Sequence, residues 1–273
     1  MRLRSLPSFR FICAIALVLS LGRISVAEGQ GLSRDQQKEF LLKAKVVGSK
    51  QTKKGITNPF RLTLSDGTTT HEAVFQAIDE HKATMQFGNG TSEINFVDSY
   101  KYNIAGSILA EMLGMEDMVP THVERKWNGR SGSLSWLVPV MMDEDDRLKK
   151  KIRTPDAGAW NKQMYKIRVL DELVYDTDAN LTNVLISEDW KIWRVDFSRA
   201  FRLHKDLHSV ANLVQCDRQL FEKLKALNEA EFVQKTKNFL TKFEQQGVMA
   251  RRDKIVAVFQ KLIKEKGESV VLY

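Results

Sequence analysis

The sequence predicts an α+β chain of two lobes, a small β-rich lobe with one helix and then a larger helical lobe. Three observations predict it. Strand-type runs concentrate between residues 45 and 142 and are interrupted by a single apolar helix. Helical spacing dominates after residue 143. Within the second regime, an apolar helical pattern runs into the acidic, Asn-rich stretch Asp176-Thr177-Asp178-Ala179-Asn180, followed by two short β-type runs. The 273 residues are 43% hydrophobic and 28% charged, an ordinary globular balance with apolar content for one large or two small domains. There are no internal repeats and no low-complexity tracts.

Residues 1–27 read differently. Arg2, Arg4 and Arg10 precede the apolar run Phe11 to Leu21, and Ser25-Val26-Ala27 supplies small residues before Glu28. This is the plan of a secretory signal peptide, with Glu28 as the mature N-terminus and an exported, periplasmic or secreted, product. The apolar run is short for a comfortable membrane span, and an uncleaved anchor is the alternative reading. The formal net charge of +8 includes Arg2, Arg4, Arg10 and Arg23, and the segment holds no acid, so the mature chain carries +4. Much of the basicity is therefore targeting, and no specific nucleic-acid partner is expected. One cysteine, Cys216, remains, which excludes an internal disulfide, and no Cys/His spacing suggests zinc.

In the small lobe, residues 28–142, Ser33-Arg34-Asp35-Gln36 has capping-box form and opens a helix to Leu42. Lys45-Val46-Val47, Phe60 to Leu64 and His71 to Ile78 are strand candidates. The first two are joined by a Gly/Lys loop carrying Lys50, Lys53 and Lys54, and Asp66-Gly67 turns the next pair. Phe87-Gly88-Asn89-Gly90 is a turn. Ser99 caps a helix in which Ile104, Ile108 and Met112 recur every four residues, with Gly114 as its stop. Met118 to Arg125 and Gly132 to Met142 are two further strands about the turn Asn128-Gly129.

The larger lobe, residues 143–273, begins with the charge run Asp143 to Lys151, read as a solvated linker. A helix from about Trp160 to Tyr175 places Trp160, Met164 and Ile167 on one buried face. Val184-Leu185-Ile186 and Ile192 to Val195 flank Glu188-Asp189-Trp190-Lys191 as a hairpin. A turn centred between Asp189 and Trp190 sets Asn183 opposite Asp196. An amide oxygen and a carboxylate side by side are hard ligands of the kind Mg²⁺ or Mn²⁺ takes beside phosphate oxygens. Asp178 precedes them where it could orient or deprotonate a hydroxyl. Three amphipathic helices close the chain, marked by Leu220, Leu224 and Leu227, by Phe232, Thr236 and Phe239, and by Ile255, Val258 and Leu262.

Asp178-x-x-x-x-Asn183 followed by Asp196-Phe197 resembles the catalytic loop and metal-binding segment of protein-kinase-like enzymes. The missing His-Arg before Asp178, and the form Thr-Asp-x-x-x-x-Asn-hydrophobic-Leu, resemble the atypical branch: phosphatidylinositol 3-/4-kinases, HipA-type kinases and secreted Golgi-type kinases. Ile104-Ala105, Leu113-Gly114, Val119-Pro120-Thr121 and Val123-Glu124-Arg125 add to the likeness with the Golgi type, which covers most of the mature chain. It implies a two-lobed protein-kinase-like fold with a hinge at residues 138–142. It also implies Asp178 as catalytic base, Asn183 and Asp196 as metal ligands, and a nucleotide site with Lys54 over the phosphates and Val138 and Val140 at the base. ATP or another phosphoryl donor and Mg²⁺ or Mn²⁺ follow as cofactors, and an unidentified hydroxyl as acceptor.

The chain departs from the pattern at two positions. The strand lysine is replaced by Gln76 and the helix glutamate that would orient it by Asn103. Losing both charges together is electrostatically coherent, because removing one would strand the other. A neutral Gln–Asn hydrogen bond keeps the helix docked but offers a triphosphate no positive charge. Lys82, Lys54 or a second metal are substitutes, and Glu93 and Glu111 are alternative carboxylates, Glu111 read as solvated. Export away from cytoplasmic ATP favours another donor, or a retained fold without transfer. Two other functions therefore stand beside phosphoryl transfer. One is a pseudokinase-type module binding nucleotide, metal or a partner. The other is a basic surface binding an anionic envelope polymer through Arg199, Arg202 and Lys205 or Arg251 and Arg252.

Overall fold

The computed structural model describes residues 27–28 by their backbone and residues 31–52, 59–88 and 90–273 in full. The expected signal segment up to residue 26 and the expected phosphate-covering Lys54 lie outside the described residues. Strand β1 (Ala27–Glu28) runs parallel to the start of β4 (Thr69–Gln76). Helix α1 (Arg34–Lys43) starts at the capping box read from the sequence, with Ser33 and Gln36 bonded reciprocally. Strands β2 (Lys45–Gln51) and β3 (Phe60–Ser65) form an antiparallel hairpin leading to β4. Next come β5 (Asp79–Gln86), β6 (Ser92–Ser99), helix α2 (Tyr100–Met112), β7 (His122–Trp127) and β8 (Arg130–Trp136). The main sheet has the order β2-β3-β4-β8-β7, so β8 enters between β4 and β7. Gly132 permits that approach, because a Cβ there would collide with the Gln76 carbonyl and the Phe75 ring.

Beyond β8 follow β9 (Met142–Asp143), α3 (Glu144–Lys149), α4 (Ala157–Val174), a 3-10 turn (Leu181–Asn183), β10 (Val184–Ile186) and β11 (Ile192–Arg194). A second 3-10 turn (Val210–Asn212) leads to α5 (Arg218–Ala226), α6 (Glu229–Thr236), α7 (Lys242–Lys266) and α8 (Glu268–Val271). Among the described residues no helix is long and apolar enough to cross a membrane.

Two cores follow from this order. Phe40 and Leu41 of α1 pack on Leu62, Leu64, Phe75 and Leu134 of the main sheet. The larger core gathers α4, β10, β11 and the C-terminal helices, and it also takes Ala105, Leu109 and Ala110 of α2. The helix that belongs to the small lobe by sequence is thus anchored in the large one, and Tyr102 reinforces this by donating its hydroxyl to Glu244 of α7. On α4, Trp160 and Ile167 are buried and Met164 packs beside them, as their spacing predicts. Deleting one methyl there, Ile167→Val, should cost about 0.5–1.5 kcal/mol. A urea melt reads it, and an unchanged midpoint would mean that the face is loosely packed.

Three expectations are corrected, and one element is added. The run from Gly132 to Met142 is not one strand: β8 stops at Trp136, and Pro139, which has no N–H to give a ladder, lies in the extended connection to β9. Asp143 to Lys151 is not a solvated linker. Asp143 caps α3, and buried Glu144 holds Arg147 at 2.5 Å, whose guanidinium lies over Trp160. Glu111 is not merely solvated, since it bonds Arg34 at 2.8 Å and Lys38 at 2.7 Å and so ties α1 to α2. The hairpin β5–β6 was not expected between β4 and α2. Its strands are largely exposed and polar, so they lack the alternation that marks a half-buried strand.

Candidate active site

Helix α4 ends at Tyr175, whose backbone is left-handed at φ 48° and whose N–H is capped by the Asp171 carbonyl. This turn drops Asp176 into the interior, where it meets Arg194 of β11 at 2.5 Å. Arg194 is fully buried. It also bonds Asp171 at 2.9 Å and donates to the Val195 and Asp196 carbonyls. One guanidinium thus fixes the end of α4, the start of the acidic loop and the backbone that presents Asp196. Burial drives the Asp176 carboxyl up to about 6, with the Asp171 and Asp196 charges adding to it and Arg194 opposing. Asp176 in turn accepts the Asp178 N–H at 2.8 Å, which orients the loop. The sequence pattern alone assigns neither Asp176 nor Arg194 a role. The signal was an acid two residues before Asp178 and a lone arginine in an apolar strand.

The β10–β11 register differs by one residue from that expected. Val184 pairs with Arg194 and Ile186 with Ile192, so Asn183 faces Val195, whose N–H it accepts at 3.0 Å, and not Asp196. The cause is a loop of three residues, Glu188-Asp189-Trp190, closed by the Ser187–Lys191 pair, with Trp190 left-handed at φ 63°. Asp196 still reaches the same cavity by another route. Its own backbone is left-handed at φ 61°, which breaks the strand alternation; its carboxylate accepts the Ser198 N–H at 3.3 Å, and Asp196, Asn183, Asp178 and Ser198 all line the cavity. The Asn183 amide nitrogen donates to the Asp178 carbonyl at 3.1 Å. Its oxygen is thereby the end left for a ligand.

Gln76, at the end of β4, and Asn103, fully buried on α2, meet as anticipated: the Asn103 amide donates to the Gln76 oxygen at 2.8 Å. The same Asn103 accepts the Phe197 N–H at 2.6 Å. One side chain therefore joins β4, α2 and the segment after Asp196. Phe197 is buried against Gly106, where a Cβ would lie 2.8 Å from the ring, so α2 can seat this close only with glycine.

These elements enclose a cavity of about 720 Å³, within the range of small-molecule sites. Asp178, Asn183, Asp196, Gln76, Val138 and Val140 all line it. So do Glu80 and Asp98 of the unexpected hairpin, and His122 and Ser135, cross-strand neighbours on β7 and β8. Burial raises the Asp98 carboxyl, and Asp196 adds to the shift, while a Ser198 hydrogen bond and Arg199 oppose it. Burial, with Arg34 adding, holds His122 down to about 3, so its imidazole is neutral. Among the described residues no group of three or more His, Cys, Asp or Glu is gathered as a metal cluster. A metal here would therefore rest on Asn183, Asp196 and oxygens brought by a ligand, as Mg²⁺ commonly does with phosphates.

The basic segment after Asp196 is turned inward. Glu93 of β6 takes Arg199 on one oxygen and Arg202 on the other, each at 2.5 Å. Fully buried Arg251 donates to the Leu173, Arg202 and His204 carbonyls, and Arg252 to the Leu227 carbonyl. Of the five residues expected to form a basic surface, only Lys205 stands fully exposed.

No protein-family model matches the sequence. No curated protein matches it. Among solved structures the chain is similar to the crystal structure of a Helicobacter pylori proinflammatory kinase, CtkA. The identity is 12%, over 83% of this chain and 98% of that one, with a TM-score of 0.52. At that identity the likeness is one of fold. The protein has a mixed α+β, two-lobed, kinase-like fold, and the cavity lies where the acidic loop, the β10–β11 hairpin and the main sheet come together.

Proposed function

We propose that this kinase-like protein is a metal-dependent phosphotransferase of the atypical type, acting on an acceptor hydroxyl. The observation that carries this reading is the convergence of Asp178, Asn183 and Asp196 on one cavity, with the Asn183 amide oxygen left free by its bond to the Asp178 carbonyl. Asn183 and Asp196 would hold Mg²⁺ or Mn²⁺, which when bound supplies charge for the phosphates of ATP or another donor. Asp178 orients the acceptor hydroxyl and takes its proton. The Gln76–Asn103 bond keeps α2 seated on Phe197 without an ion pair, and the apolar wall at Val138 and Val140 offers a flat ligand group a surface. A donor other than ATP follows if the chain is exported.

A second reading, a binding module that transfers nothing, is favoured by one observation. Four carboxylates, Glu80, Asp98, Asp178 and Asp196, line the cavity, and Gln76 stands where the phosphate-holding lysine would be. Calorimetric titration with Mn²⁺ plus ATP or polyphosphate tests the metal assignment common to both. The folded wild type should bind donor only with Mn²⁺, and Asp196→Asn should weaken that binding at least about tenfold, as loss of a metal ligand does. Equal binding by the two proteins would remove Asp196 from the metal site.

A further inference from the structure

We infer that Arg199, held by Glu93, supplies the positive charge that the phosphates of the ligand meet in this cavity, in the role left open at Gln76. The inference rests on the phosphoryl-ligand reading above and goes beyond it by assigning the cation. A triphosphate entering a space lined by four carboxylates needs countercharge, and metal bound at Asn183 and Asp196 reaches only part of it. Of the described residues lining the cavity, Arg199 is the only positively charged one. Lys82, the substitute considered from the sequence, is engaged instead with Glu80 at 2.6 Å and does not line the cavity.

The setting of Arg199 is that of a positioned cation. Its carbonyl accepts from the Thr177 N–H and hydroxyl, which fastens its backbone beside Asp178. Its guanidinium lies over the rings of Phe87 and Phe96, at 5.1 and 5.0 Å from their centroids. Glu93 takes one terminal nitrogen, while the buried Nε has no hydrogen-bond partner. A guanidinium has five N–H groups in a planar fork suited to phosphate oxygens. A carboxylate that holds one edge of it points the others, as the absent helix glutamate would have pointed the absent lysine. The ion pair has in effect moved from β4 and α2 to the segment after Asp196 and the inserted hairpin, which gives β5–β6 a purpose its exposed strands do not otherwise reveal.

Calorimetry with two probes, Mn²⁺ alone and Mn²⁺ with inorganic tripolyphosphate, tests this on the full chain. Arg199→Gln should weaken tripolyphosphate binding about tenfold to a hundredfold, the worth of a charge-assisted hydrogen bond. It should leave Mn²⁺ binding equal or tighter, since it removes a positive charge beside Asp98 and Asp196. General damage to the site would weaken both. Adding Gln76→Lys to Arg199→Gln should recover most of the lost tripolyphosphate affinity. Should Arg199→Gln fail to fold, Glu93→Gln, which keeps the cation but releases it, should show the same selective loss in smaller measure. Wild-type affinity for tripolyphosphate in folded Arg199→Gln or, where that protein does not fold, in Glu93→Gln overturns the inference and leaves the phosphotransferase reading standing. Absence of tripolyphosphate binding in the wild type overturns both.

Discussion

Arg194→Met should destabilise the protein by about 3–5 kcal/mol, the cost of stripping a buried ion pair of one partner. Arg194 is wholly buried and serves Asp171 and Asp176 together, so its loss leaves Asp176 buried, and Asp171 partly buried, without their shared cation. The deficit has a pH signature with a definite sign. A carboxyl whose folded pKa lies above its unfolded value binds more protons folded than unfolded between the two. Stability contributed this way is present at low pH and lost as pH rises through the folded value. Asp176 stands at about 6 even with Arg194 opposing the shift. Without the guanidinium it moves higher, so the window of loss extends further up. The gap between wild type and Arg194→Met should therefore be larger at pH 8 than at pH 5, where protonation relieves the unpaired charge. Urea melts of both proteins at the two pH values read the difference. A gap below about 1 kcal/mol at pH 8, the range of an exposed pair, would show that water reaches these groups.

What the sequence made legible, and what it hid, divides by the range of the interaction. The capping box at Ser33, the turn at Asn128-Gly129 and the buried face of α4 are local, and residue type alone decides them. The Gln76–Asn103 contact joins distant elements, yet it could be anticipated because the kinase-like pattern that the sequence resembles sets a strand lysine against a helix glutamate, and both positions carry amides here. The β10–β11 register could not be read, because it turns on one residue. A left-handed Trp190 makes the loop three residues long, and Trp is not a residue that announces a positive φ. A slip of one position reverses the face of each strand residue. Asp196 nevertheless arrives in the cavity because its own positive φ breaks the strand pattern, which alternation does not foretell. The Glu93–Arg199 pair spans 106 positions and belongs to a hairpin with no apolar signature, so no local pattern pointed to it. Arg199 and Arg202 looked like a surface charge run because sequence shows charge but not its partner.

Asp178→Asn should separate transfer from binding. Most bonds that hold this residue come from its backbone: its N–H goes to Asp176, and its carbonyl takes the amides of Asn180 and Asn183. The carboxylate itself accepts from the Asn180 amide at 3.2 Å, a contact at the solvent edge that an amide of the same shape can replace. The loop, the Asn183 oxygen and Asp196 thus stay in place, and Mn²⁺-dependent binding of donor should remain within about twofold of wild type, a difference well under one charged hydrogen bond. An amide cannot take a proton from a hydroxyl, so the rate of transfer should fall about 10²–10⁴-fold, the usual share of a general base. With the natural acceptor unidentified, water serves as the acceptor hydroxyl, and release of inorganic phosphate from ATP or polyphosphate with Mn²⁺ is the readout. Asp196→Asn loses binding and turnover together, whereas Asp178→Asn loses turnover alone, and that split distinguishes a base from a metal ligand. Equal turnover by Asp178→Asn and wild type would take Asp178 away from the acceptor. A wild type that binds donor through Mn²⁺ and Arg199 yet turns over no donor would place the chain among kinase-like binding modules, with the cavity serving recognition instead of transfer.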